Sequence, residues 1–115
     1  MNAALALIED ATTAVLTLTE DLERDEFMRS RLTRSEVRRR LLLVASTLRG
    51  LGETGRRMFP EIDWDGWSLT AERLEGDATV ADDALWFAIR ALTPATLTWL
   101  RLYRSLSPEP IATAS

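Results

Sequence analysis

The chain has 115 residues, of which 46% are hydrophobic, and this length suffices for one domain with a single core. It contains no cysteine and no histidine, which excludes disulfides, thiol nucleophiles, imidazole general bases and zinc sites built from those residues. No apolar stretch reaches the roughly 18 residues of a membrane span, and the N-terminal segment lacks the pattern of a signal peptide. We therefore expect a cytoplasmic protein with no membrane segment, no metal and no other cofactor.

Positive and negative side chains are segregated along the chain, whose net charge is −4. Residues 27–58 carry nine arginines and two glutamates, a balance of +7, whereas residues 59–89 carry eight acidic residues and one arginine, a balance of −7. Such asymmetry is typical either of electrostatic contact between segments or subunits or of a plain solvated surface. The net negative charge argues against a general nucleic-acid-coating protein.

The N-terminal segment predicts one helix over residues 3–22 and a short second helix after it. Apolar residues recur at intervals of four, three, four, three and four, which places them on one helical face. They are Ala4, Ile8, Ala11, Val15, Leu18 and Leu22. The charged segment that follows contains Phe27 and Met28 as apolar anchors of the second helix.

The longest predicted helix spans about residues 34–58. Thr33 and Glu36 have the spacing of a capping box at its start. Its apolar stripe consists of Val37, Leu41, Val44, Leu48 and Leu51. The pattern indicates a helix that buries one face and exposes the other.

Three consecutive arginines, Arg38, Arg39 and Arg40, sweep around the face opposite that stripe. Arginine binds phosphate and carboxylate groups through its planar fork of donors. These residues therefore either contact RNA phosphates or an acidic partner surface, or form a solvated helix face.

Glycines interrupt the C-terminal part of this helix at Gly50, Gly52 and Gly55, each at a cost of up to about 1 kcal/mol relative to alanine. Either the helix breaks there or another backbone approaches closely, and we favour close approach. Glu53 lies among arginines at helical spacing, so we interpret it as part of an ion pair in the core or an interface. Together with Trp64, a loop residue able to anchor an interface, Gly50, Gly52 and Glu53 form the predicted dimer or partner contact.

The C-terminal half predicts a loop over residues 59–64 and two further helices. Asp65 is the candidate N-cap of a short helix that continues to Leu74. The last helix begins near Val80, and Pro94 is expected to kink or split it, with Thr93 as a candidate cap. No strand pattern is present, so we predict an all-α domain over residues 1–106, followed by a flexible tail over residues 107–115.

Several short motifs occur in a characteristic order over residues 3 to 105. They are Glu26-Phe27, the arginine-rich helix with Gly52-Glu53 and Arg56-Arg57, the loop Phe59-Pro60-Glu61-Ile62-Asp63-Trp64, Leu85-Trp86, and Leu92-Thr93-Pro94. This order resembles the HepT-like branch of the HEPN superfamily. Members of that branch commonly show a phenylalanine segment, a long helix carrying Gly-Glu-Ala, a Tyr-Pro-Glu-Ile-Pro-Trp-like loop, and Val-Trp and Leu-Pro in the last helix.

The resemblance implies a homodimeric, antiparallel helical bundle that pairs with a small nucleotidyltransferase antitoxin in a toxin–antitoxin system. The family toxin is regarded as a ribonuclease whose motif contains an arginine, a histidine and a tyrosine, and the tyrosine is where the partner can attach AMP. Counting from Trp64 places Ala71, Gly76 and Ala78 at those three positions. The only tyrosine is Tyr103, far away on the last helix, so the resemblance transfers no catalytic residue.

Three hypotheses on function follow. In the first, the chain is a catalytically degenerate HEPN-type domain that acts as an interaction module. In the second, it is an active toxin-like endoribonuclease in which Arg73 binds phosphate and an acidic neighbour such as Glu72, Glu75 or Asp77 acts as general base. In the third, it is an unrelated small helical adaptor. The alternative interpretation of Arg73, Glu72 and Asp77 is a surface ion pair or a helix stop.

Overall fold

The computed structural model of the chain describes residues 1–106, and within that range every regular element is helical. The elements are α1 (Asn2–Thr19), α2 (Arg24–Arg29), α3 (Arg31–Met58), α4 (Trp64–Leu74), α5 (Ala78–Phe87), a π-helical segment (Ala88–Leu92) and α6 (Thr93–Leu106). No strand occurs in these residues, which confirms the all-α prediction. The predicted tail over residues 107–115 lies outside the described residues.

The centre of the bundle is the packing of α3 against α1, and α1 also packs against α6. From the predicted stripes, the fully buried members are Ile8, Ala11 and Val15 on α1, and Val37, Leu41, Val44 and Leu48 on α3. Leu18 is an exception, because its side chain is 39% exposed at the C-terminal end of α1. The helical periodicity in the sequence therefore corresponds to the buried faces of both helices.

Helix α3 begins at Arg31, three residues before the predicted start. The Ser30 hydroxyl accepts a hydrogen bond from the Thr33 amide at 3.3 Å, so Ser30 is the N-cap. The predicted capping role of Thr33 is wrong, since Ser30 offers a hydroxyl one turn earlier. Glu36, the other half of that predicted box, binds arginines instead.

Helix α4 also begins earlier than predicted, at Trp64. The Asp63 carboxylate accepts a hydrogen bond from the Gly66 amide at 2.9 Å, which makes Asp63 the N-cap. The predicted cap, Asp65, lies inside the first turn and forms an ion pair with Arg56 at 3.1 Å.

The glycines of α3 show one of the two alternatives raised by the sequence, a break in the helix. At Gly52 the backbone has φ of 62° and ψ of −153°, which interrupts the helix. At Gly55, by contrast, a Cβ atom would lie 2.9 Å from the Trp64 ring, so this glycine permits close approach. A Cβ atom at Gly50 would meet no atom within 4 Å. The favoured prediction, close approach of another backbone, is therefore wrong at these three glycines, since only side chains approach Gly55.

The C-terminal helices meet through the π-helical segment. The Thr93 amide donates to the Ala88 carbonyl five residues earlier, and the backbone angles of both residues are helical. Pro94 has no amide hydrogen for the Arg90 carbonyl, and its ring crowds that carbonyl, so a wider turn before it relieves the clash. The predicted split is not confirmed. Thr93 is not a cap, because its hydroxyl has no hydrogen-bond partner within the described residues.

A buried hydrogen bond joins α4 to α6. Trp67 is 1% exposed, and its indole Nε1 donates to the Thr96 hydroxyl at 2.9 Å. Thr93 lies one turn before Thr96 and is equally buried. The two threonines can therefore be compared directly, because the Thr96 hydroxyl has a buried hydrogen-bond partner and the Thr93 hydroxyl has none within the described residues.

We expect Thr96→Val to lower the free energy of unfolding by about 1–3 kcal/mol, because it leaves the Trp67 indole N–H buried and unpaired. Thr93→Val removes a hydroxyl that has no partner, so we expect it to leave stability unchanged or raise it. Urea unfolding followed by tryptophan fluorescence measures both. Equal losses in the two variants would contradict this assignment.

Candidate functional site

Helix α4 is bordered by a surface depression on each side. The first, which we call the α3–α4 cleft, has a volume of about 730 Å³ and is lined mainly by Arg39, Leu42, Leu43, Arg49, Glu72 and Glu75. The second, the α4–α5 groove, has a volume of about 590 Å³ and is lined mainly by Asp63, Leu69, Arg73, Val80, Asp83 and Phe87. These two surfaces contain most of the side chains singled out as catalytic candidates.

The predicted catalytic candidates do not come together. Glu72 lines the α3–α4 cleft, whereas its sequence neighbour Arg73 lines the α4–α5 groove. Asp77 caps α5, since its carboxylate accepts a hydrogen bond from the Val80 amide at 3.0 Å. No ion pair joins any two of these three candidates within residues 1–106, so the predicted surface pair is absent, and their catalytic role stays a prediction.

Arg38 binds the C-terminal end of α4. Its guanidinium donates to the Leu74 carbonyl at 2.9 Å and lies 3.5 Å from the Glu75 carboxylate. A cation is favourable at this end of a helix, where carbonyl groups concentrate partial negative charge. These contacts of Arg38 lie within the chain, and its binding to RNA phosphates or to an acidic partner surface stays a prediction.

Arg39 and Arg40 both bind Glu36, each at 2.7 Å. Hydrogen bonds from Arg39, and then from Arg40, lower the pKa of Glu36 to about 2. The same contact raises the pKa of the Arg39 guanidinium. Any phosphate that binds Arg39 or Arg40 would have to compete with this carboxylate.

The segregated charges of the sequence are partly paired within the fold. Two contacts join the basic and acidic segments, Arg38 with Glu75 and Arg56 with Asp65. This supports electrostatic contact between segments, one of the alternatives raised by the sequence.

The residues predicted to form an interface divide into two groups. Gly50, Gly52 and Glu53 are exposed near the C-terminal end of α3, and their contact with a partner stays a prediction. Glu53 forms no ion pair within the described chain, so its interpretation as a core ion pair is wrong. Trp64 is only 8% exposed, and its Nε1 donates to the Phe59 carbonyl at 2.9 Å. Trp64 therefore packs in the core and is not a free anchor.

One polar contact was not anticipated from the sequence. The Tyr103 hydroxyl donates to the Glu61 carboxylate and accepts from the Glu61 amide at 3.3 Å. The Tyr103 ring lies 4.9 Å from the Phe59 ring and 5.9 Å from the Trp99 ring, measured between centroids. Burial raises the pKa of Tyr103 to about 12, and the Glu61 carboxylate acts in the same direction.

Only the spacing of Trp99 and Tyr103, four residues apart, hinted that this tyrosine lies beside another aromatic ring. Its contact with a loop 42 residues earlier depends on tertiary structure and has no local signal.

Neither a metal cluster nor a membrane-spanning helix is present in the described part of the chain. No three acidic side chains of residues 1–106 group as ligands of one metal ion. No helix in that range combines the length and apolarity of a transmembrane segment. Comparison with protein-family models, with curated proteins and with solved structures finds no match to this chain.

We expect the phenol of Tyr103 to titrate near pH 12 in the folded protein and near pH 10 in the unfolded chain. The pKa of Tyr103 is higher in the folded protein than in the unfolded chain. Its contribution to the free energy of unfolding is therefore fully present below about pH 10 and is lost as the pH rises to about 12. Tyr103 is the only tyrosine, so phenolate absorbance reports it directly. Glu61→Gln should shift the midpoint towards lower pH, with circular dichroism confirming the fold. A folded-state midpoint at pH 10 would contradict the contact.

We expect Gly52→Ala to destabilise the protein by about 1–3 kcal/mol, because only glycine readily adopts the backbone angles found there. Gly50→Ala is the control, since its site is helical and open, and it should raise stability by up to about 1 kcal/mol. Chemical denaturation measures both variants. If the two changes had the same sign, the interruption of α3 at Gly52 would be refuted.

Proposed function

We propose that this chain is a HepT-like HEPN domain protein that has lost its ribonuclease site. In this proposal it acts as a dimeric interaction module, with a nucleotidyltransferase-like antitoxin as its partner. The observation that carries the proposal is the separation of Glu72 and Arg73, which lie on α4 and line different depressions, from each other and from Asp77, which caps α5. Cleavage of RNA needs a proton-accepting group and a phosphate-binding cation at one phosphodiester. These side chains are directed to three different environments.

The family-like order of motifs supports the link to HepT-like proteins, and the same alignment explains the loss of chemistry. The position of the motif arginine is Ala71, whose short side chain is partly buried on α4. The positions of the histidine and the tyrosine are Gly76, in the turn after α4, and Ala78, the first residue of α5. None of the three can bind a phosphate through its side chain or move a proton.

An exposed apolar surface supports a role in binding. In the α4–α5 groove the side chains of Leu69, Val80 and Phe87 are 44%, 39% and 53% exposed. A contiguous apolar patch on a protein surface is typical of an interaction site. Acidic residues Asp63 and Asp83 border the same groove.

The endoribonuclease hypothesis combines Arg73 with Glu72, Glu75 or Asp77 as general base, but the carboxylates that line the same groove as Arg73 are Asp63 and Asp83. Each carboxylate already has a structural partner. Asp63 caps α4, and Asp83 binds Arg24 at 2.6 Å. To act as general base in this groove, Asp63 or Asp83 would have to release its structural partner and accept a proton from the substrate. The endoribonuclease hypothesis is therefore the weaker one.

The proposal is tested by incubating the purified protein with RNA, in the presence of metal and of chelator, beside the Arg73→Ala variant. We expect the RNA to remain intact in every sample. Cleavage by the wild type that Arg73→Ala abolishes would refute the loss of catalysis and establish the endoribonuclease instead.

The dimeric state is tested separately, by light scattering coupled to size-exclusion chromatography. We expect a mass of twice the 12.9 kDa of one chain. A monomer at every concentration, together with no association with a coexpressed nucleotidyltransferase from the native host, would refute the interaction role.

A further inference from the structure

Two opposite charges line the α3–α4 cleft without pairing. Arg49 lies on the α3 wall and Glu72 on the α4 wall, and both side chains are exposed. Within residues 1–106 neither forms an ion pair or a side-chain hydrogen bond, although both line the same cleft. The other charged residues of these walls do have partners, since Arg39 binds Glu36 and Glu75 lies beside Arg38.

The cleft is also lined by apolar side chains, which we call its floor. Leu42, Leu43 and Ala71 are among them and are only partly buried by the rest of the chain. Leucine side chains at the bottom of an open cleft between charged walls resemble the anatomy of a protein interface, with an apolar centre and a polar rim.

The outward face of α3, which is mostly polar with two leucines, continues beyond the cleft. Residues 32, 35, 39, 42, 46 and 49 recur at intervals of three and four, which places them on one face of the helix. The first of them, Leu32, is 83% exposed. With 1.5 Å of rise per residue this face is about 26 Å long. The α3 residues that line the cleft therefore form the middle and the C-terminal part of a longer outward face of this helix.

We propose that a second copy of this chain packs on the α3–α4 cleft about a two-fold axis. Arg49 of each copy then pairs with Glu72 of the other, and the leucines of the two floors cover one another. The inference deepens the proposed function, because it rests on the dimer suggested there and assigns the surface that forms it.

The distribution of charge favours a second copy over other occupants. A two-fold contact joins the same patch on both subunits, so a patch with a basic wall and an acidic wall is complementary to itself. One contact then supplies partners for both unpaired side chains. A polyanion such as RNA would gain from Arg49 but would be repelled by Glu72 and Glu75 on the opposite wall.

The proposal is tested by reversing the two charges separately and together. Arg49→Glu and Glu72→Arg each place like charges across the interface, so each should raise the dimer dissociation constant about tenfold or more. The double variant Arg49→Glu/Glu72→Arg restores opposite charges and should return the constant to within about threefold of the wild type. Sedimentation velocity over a range of concentrations measures all four proteins.

Arg90→Glu is the matched control, because it reverses an exposed arginine of the π-helical segment that lines neither the α3–α4 cleft nor the α4–α5 groove. We expect it to leave the dissociation constant unchanged, and circular dichroism checks that every variant keeps its helices. Higher salt should weaken the wild-type dimer, since the contact includes exposed charge pairs.

Three results would overturn the inference. The first is that the wild type is a dimer and that neither Arg49→Glu nor Glu72→Arg changes its dissociation constant. This result would place the interface elsewhere without contradicting the proposed function. The second is a double variant no better than the single ones, which would refute the pairing of Arg49 with Glu72. The third is a monomeric wild type, which would also refute the dimeric part of the proposed function, while the RNA assay would still decide the catalytic part.

Discussion

The burial of one face of α3 against α1 is the constraint on which the rest of the structure depends. Val37, Leu41, Val44 and Leu48 are all at most 2% exposed, so α3 has a fixed rotation about its own axis. Its opposite face is therefore held towards the exterior, where it forms one wall of the α3–α4 cleft. Arg49 owes its exposure to the same rotation that buries Leu48. The periodicity of α3 therefore determines both which side chains pack in the core and which charged side chains are exposed at the candidate interface.

Helical periodicity explains how much of the fold could be predicted from the sequence. The buried stripes of α1 and α3 follow from spacings of three and four, which depend only on local geometry. Helix starts were less predictable, because Ser30 and Asp63 each offer an oxygen atom before the predicted cap. The π-helical segment depends on a bond from Thr93 to the carbonyl of Ala88, which no apolar pattern reports.

The candidate site was less predictable than the fold for a physical reason. Whether a charged side chain is available for binding depends on its tertiary neighbours, which can be far away in the sequence. Arg38 lies 36 residues before the carbonyl it binds, and Tyr103 lies 42 residues after its partner Glu61. The sequence identified Glu72 as a candidate, but nothing in it indicated that Glu72 lines the same cleft as Arg49, whereas Arg73 lines the other groove.

The π-helical segment allows the chain to hold one additional residue between α5 and α6 without changing the face that α6 presents to the core. The bond from the Thr93 amide to the Ala88 carbonyl closes a turn that contains one residue more than an α-helical turn. Removing one residue there, such as Ala91, would restore α-helical spacing and leave Thr96 beside the indole of Trp67. A deletion inside α6 would instead turn the helix beyond it by about 100°, the rotation of one α-helical residue, and would take Leu100 out of the core. A gap between residues 88 and 92 in a sequence comparison is therefore compatible with the same packing of α6, whereas a gap within α6 is not.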